Sequence, residues 1–96
     1  MFRDLQERAI NGFQPLGYTL AADDGIGLWS EFRKPDTSLR FSIRYGEGGV
    51  TLFWTENQEC SLLDNKPSPG VERKNFCGSP EEFWGAVKGI IEGRTP

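Results

Sequence analysis

Fourteen carboxylates, two cysteines and no histidine set the chemical repertoire of this 96-residue chain. Without an imidazole, Ser–His–Asp and Cys–His activation of a nucleophile, histidine ligation of a metal and imidazole acid–base work are all closed. Paired carboxylates, an activated lysine or a thiol of lowered pKa are what remain. Cys77 has the better setting of the two thiols, because it stands just before an expected helix N-terminus whose dipole favours a thiolate. Its simpler role is a small half-buried residue closing the loop ahead of that helix. Cys60 and Cys77 form no C-x-x-C pair and have no histidine beside them, so no zinc site is expected. No export signal precedes them, which favours reduced thiols.

Two further clusters carry the residue types of ligand sites, and both read more simply as turns. Asp23-Asp24-Gly25 offers oxygen ligands of the sort hard cations take, but Ile26 and Gly27 follow where further acids would be needed. Gly46-Glu47-Gly48-Gly49 is glycine-rich, yet no helix N-terminus follows to supply phosphate-binding N–H groups. No metal, cofactor or catalytic residue is therefore assigned, and the chain reads as non-enzymatic.

The elements that must position these residues follow from periodicity. Phe2, Leu5, Ala9 and Phe13 recur at three- and four-residue steps, which predicts a helix over 2–12 stopped by Asn11-Gly12. Four runs then alternate with period two. Tyr18, Leu20 and Ala22 share a parity in the first; Ile26, Leu28 and Phe32 do so in the second. The third is the clearest: Leu39, Phe41, Ile43 and Tyr45 against Arg40, Ser42 and Arg44. In the fourth, Val50, Leu52 and Trp54 oppose Thr51, Phe53 and Thr55. Period two means one buried and one polar sheet face. Asp24-Gly25, Pro35-Asp36-Thr37-Ser38 and the 46–49 glycines supply short turns, which force sequential antiparallel neighbours.

Asn65-Lys66-Pro67-Ser68-Pro69-Gly70 is a loop, and Val71 to Phe76 suggests a charged fifth strand at the edge. Ser79, Pro80 and Glu82 form a capping box ahead of a second helix with Phe83, Val87 and Ile90 on its apolar stripe. Gly85, Gly89 and Gly93 give this helix a smooth side, expected to pack closely on the sheet or the first helix. Docking of a second copy through the Gly85/Gly89 side, as a homodimer, is the functional alternative. One domain over 1–96 is expected, of the α+β class: a four- to five-stranded antiparallel meander with both helices on one face.

Net charge is −3, which argues against bulk phosphate neutralisation as the source of affinity for nucleic acid. No apolar run reaches ten residues, so no membrane span is expected and a cytoplasmic location is. The polar sheet face holds the one unusual grouping, Trp29, Arg33, Arg40, Arg44 and Phe53. Trp and Arg are enriched at interface hot spots. Size, acidity and the lack of catalytic residues then point to a small protein-binding factor that occludes a larger protein partner. Anti-CRISPR and toxin-immunity proteins share that size and composition, though no family motif is matched. Single-stranded nucleic acid stacked on the same aromatics is the alternative. A ligand pocket between helices and sheet is a third reading. The bland account of the face is that the terminal segments fold over Trp29 and Phe53, or that its arginines and aromatics simply pair with each other across strands.

Overall fold

A computed structural model describes residues 2–25, 28–46, 49–57, 62, 70–77 and 80–93, with side chains from Leu5 onward. Helix α1 (Phe2–Phe13) runs into a single 3-10 turn, Gln14–Leu16. Strands β1 (Thr19–Asp23), β2 (Trp29–Arg33), β3 (Arg40–Gly46), β4 (Gly49–Thr55) and β5 (Glu72–Phe76) follow, and helix α2 (Pro80–Gly93) comes last. The five strands form one antiparallel sheet in the order β1-β2-β3-β4-β5. This is the α+β meander expected from the turns. The capping-box Ser79, Cys60 and the loop of 65–69 lie outside the described residues.

The predicted parity of β3 holds on its apolar side. Leu39, Phe41, Ile43 and Tyr45 are all buried, and they join Phe32, Leu52 and Phe76 of the sheet with Ala9, Phe13, Phe83 and Val87 of the helices in one core. Phe13 is its centre: its ring lies 4.3 Å from Phe32, 5.4 Å from Phe41 and 5.0 Å from Trp84. Stacked, tilted and edge-on contacts of this kind add to the burial of each ring. Both helices thus sit on one face, called inner below.

Two polar ties fasten α1 to that face. The Gln6 side-chain amide donates to Asp23 Oδ2 at 2.9 Å and to Ser30 Oγ at 3.1 Å. The Tyr45 hydroxyl donates to the Leu5 carbonyl at 2.9 Å. Burial pushes the Tyr45 phenol up from its ordinary 10 to about 12, since the phenolate loses its solvent.

Three local expectations are corrected. Ala22 does not share the side of Leu20: the register passes from Leu20↔Phe32 to Ala22↔Glu31, so Ala21 is the extra residue of a bulge. Downstream of it Ala22 faces the outer side with Glu31, and Asp23 turns inward beside Ser30. Gly12 does not stop α1. The chain ends its helical course at Gly17, left-handed at φ 86°, whose N–H bonds to Gln14 O. Gly12 instead makes room: a Cβ there would lie 2.1 Å from the Trp84 ring. The expected close packing belongs to this glycine and not to those of α2, because Gly85, Gly89 and Gly93 would carry a Cβ into open space.

Candidate functional site

Opposite the helices, the outer face is assembled by register. Glu31, Ser42 and Phe53 stand in one row across β2, β3 and β4, extended by Arg73 on β5. Trp29, Arg44, Thr51 and Asn75 form the next row. Arg40 pairs with Thr55, and Arg33 lies opposite Thr19. Among the described strand residues, Arg33, Arg40, Arg44 and Arg73 therefore share this face with a single carboxylate, Glu31, in a chain whose net charge is −3.

The side chains fold down on one another instead of standing into solvent. Trp29 on β2 and Phe53 on β4 are two strand spacings apart, roughly 9–10 Å, yet their rings stack at 5.2 Å. They must lean together over β3, and Ser42 is small enough to let them. It is fully buried as a result, with its hydroxyl unbonded among the described residues. The Arg44 guanidinium lies over the Trp29 ring, 5.3 Å from its centroid. At this exposure such a pair contributes about 0.5–1 kcal/mol.

Glu31 organises the other end. It is buried, accepts from Arg33 Nε at 2.6 Å and lies 3.6 Å from Arg40 Nη1. Arg40 also donates from Nη2 to the Asn57 carbonyl at 2.6 Å. Thr55 donates to the Gly70 carbonyl, and its hydroxyl accepts from Asn57 N–H. Residues 57 and 70 thus both touch the Arg40–Thr55 end. Leu62 is also buried, but is not part of the inner core.

This placement divides the five expected contact residues. Arg33 and Arg44 are exposed and Phe53 is half-buried, so all three can meet a partner. Arg40 and Trp29 face outward as expected, but they are buried, at 7% exposure each, where exposed side chains were expected. The cause lies in their length. Each lies along the sheet, Arg40 toward Glu31 and Asn57, and Trp29 toward Phe53. They shape the face from beneath. Arg73 and Asn75, exposed on β5, join the surface unforeseen; the register with Phe53 and Thr51 places them there. Thr51 and Asn75 bond to each other at 2.5 Å.

Elsewhere, Cys77 is a free and exposed thiol, not the half-buried residue expected. The Asp23-Asp24-Gly25 segment is a turn as far as it is described: Asp23 Oδ1 accepts from Gly25 N–H, and Gly25 has φ 88°. Among the described residues no three metal-binding side chains gather, and no helix is long and apolar enough to cross a membrane. No family model, curated protein or solved structure matches the chain.

Proposed function

We propose that the chain is a small non-enzymatic protein-binding factor, whose outer sheet face docks on and occludes an acidic surface of a larger protein. The observation that carries this reading is charge segregation. Among the described strand residues, four arginines and one buried carboxylate occupy the face opposite the two helices, while the chain as a whole is acidic. Arg44 is preset against Trp29, and Arg33 against Glu31. A partner carboxylate thus meets guanidiniums whose freedom is already reduced, which lowers the ordering cost of association. The half-buried Phe53 ring among Arg44, Arg73 and Thr51 supplies the apolar centre that arginine rims surround at interfaces.

A protein is preferred to single-stranded nucleic acid because of the aromatics. Base stacking needs an open ring plane. Trp29 is buried, with Phe53 and Arg44 against it.

Capture from the native host lysate by the wild-type chain and by Arg44→Glu/Arg73→Glu, read by mass spectrometry, tests the proposal. One protein retained by the wild type and lost by the double variant, with the thermal midpoint unchanged, is the expected result. Equal retention by both forms overturns the docking face. Retention that vanishes on nuclease treatment and falls steeply with salt transfers the face to nucleic acid.

A further inference from the structure

Beyond that docking role, we propose a binding site for a small oxyanion, a phosphate or carboxylate group, in the cleft at the β2–β3 turn. The cleft measures about 470 Å³ and is lined by Arg33, Lys34, Arg40, Thr19, Thr37 and Ser38, with Pro35 beside them. Among the described residues its wall holds three cations and three hydroxyls but no carboxylate. In a chain with 14 acidic residues against 11 basic ones, that selection is a chemical signature.

The donors available match an anion. Arg33 uses Nε on Glu31, and no described contact takes its two terminal nitrogens. Those nitrogens form the planar fork that grips carboxylate or phosphate oxygens in pairs. Its side chain is 57% exposed, so the fork is reachable. Lys34 holds only a loose contact with the exposed Asp36, at 3.7 Å, which an anion can displace. Thr37 Oγ1 accepts from Leu39 N–H, which leaves its own O–H free to donate.

The site is also built from behind. Arg40 lines the cleft with its side chain 8% exposed, held by Glu31 and by the Asn57 carbonyl. Glu31 is itself 5% exposed at the side chain and sits behind the wall. It orients two guanidiniums without presenting its own charge to the cleft. A cation placed this deep acts through a lower dielectric than a surface lysine and attracts an anion more strongly.

The test is a titration of the full, isotope-labelled chain with inorganic phosphate and, separately, with acetate, followed by NMR at constant ionic strength held with chloride. Saturable shifts confined to the amides of Lys34, Thr37 and Ser38 and the Arg33 Nε–H are expected, and Arg33→Gln should weaken the affinity at least tenfold. Saturation by phosphate alone assigns a phosphoryl group; saturation by both assigns any oxyanion, a carboxylate included. Shifts that never saturate, that chloride reproduces, or that survive unchanged in Arg33→Gln overturn the site. Arg44→Glu, away from the cleft, should leave the titration unaltered, so failure of the docking face and failure of the cleft are separable.

Discussion

The two faces of the sheet bury their residues in different ways. Phe41 and its neighbour Ser42 are both fully covered. Phe41 is covered by another layer, with Phe13 of α1 against it at 5.4 Å. Ser42 is covered from within its own sheet, by aromatic side chains of β2 and β4 bending over it. The inner face is an apolar assembly sealed by two helices. The outer face is a single layer of long side chains that shelter one another and leave guanidiniums at the surface. A second core is therefore not needed to bury a polar face; length and complementary chemistry suffice, and the result is still open to a partner.

The contrast can be broken by substitution. Phe13→Ala should cost about 4 kcal/mol, the loss expected when a central ring leaves a cavity, while Phe53→Ala should cost less than half of that. Urea titration of both variants checks this, and equal losses would mean that the outer layer is a core in its own right. Glu31→Gln leaves two arginines without their shared carboxylate and should cost about 3 kcal/mol, because one of them stays buried. If Glu31→Gln is neutral, the arginines are held by something other than charge.

Alkali acts on the inner face through Tyr45. The phenol of Tyr45 stays protonated to about pH 12 in the fold and ionises near 10 when unfolded. Its contribution is full below pH 10 and is lost as pH rises from 10 to 12, on the order of 2 kcal/mol. Chemical denaturation across that window should show the decline, and Tyr45→Phe should flatten it.

Glycines sharpen the comparison further, with effects of opposite sign. Gly12→Ala drives a methyl group into the Trp84 ring and should destabilise by about 2 kcal/mol. Gly85→Ala meets nothing and should stabilise by about 1 kcal/mol through helix propensity alone. Thermal midpoints decide both. A Gly85→Ala that lowers the midpoint, or changes the sedimentation of the chain, would show that this side of α2 is occupied by a second copy.

Much of the architecture was legible because it rests on short-range patterns. The alternation from Leu39 to Tyr45 marks a half-buried strand whatever surrounds it, and connections of two to six residues between the first four strands leave no option but a meander there. The misread features depend on distant partners. Polar alternation reports that Arg40 and Trp29 face away from the helices, but not that they lie flat against Asn57 and Phe53. Asn11-Gly12 resembles a helix stop until Trp84, far along the chain, is seen above it. Tyr18, Leu20 and Ala22 keep perfect alternation through a bulge, so the inserted residue left no trace in the pattern. The candidate site was legible in Arg33, Arg44 and Phe53; Arg73 and Asn75 entered only through the pairing of β5.

That inserted residue has a consequence for how the chain finds its alignment. By advancing the phase of β1 midway, Ala21 delivers the Asp23 carboxylate to the Gln6 amide, and the first helix is thereby keyed to one position along the strand. Deleting Ala21 would leave a regular ribbon with Asp23 still opposite Ser30, whereas pairing Ala21 itself with Glu31 would slip the strand by one residue, send that carboxylate to the arginine side and leave the helix without its latch. The irregularity works as an indexing pin, tying the order of the first strand to the seating of the first helix.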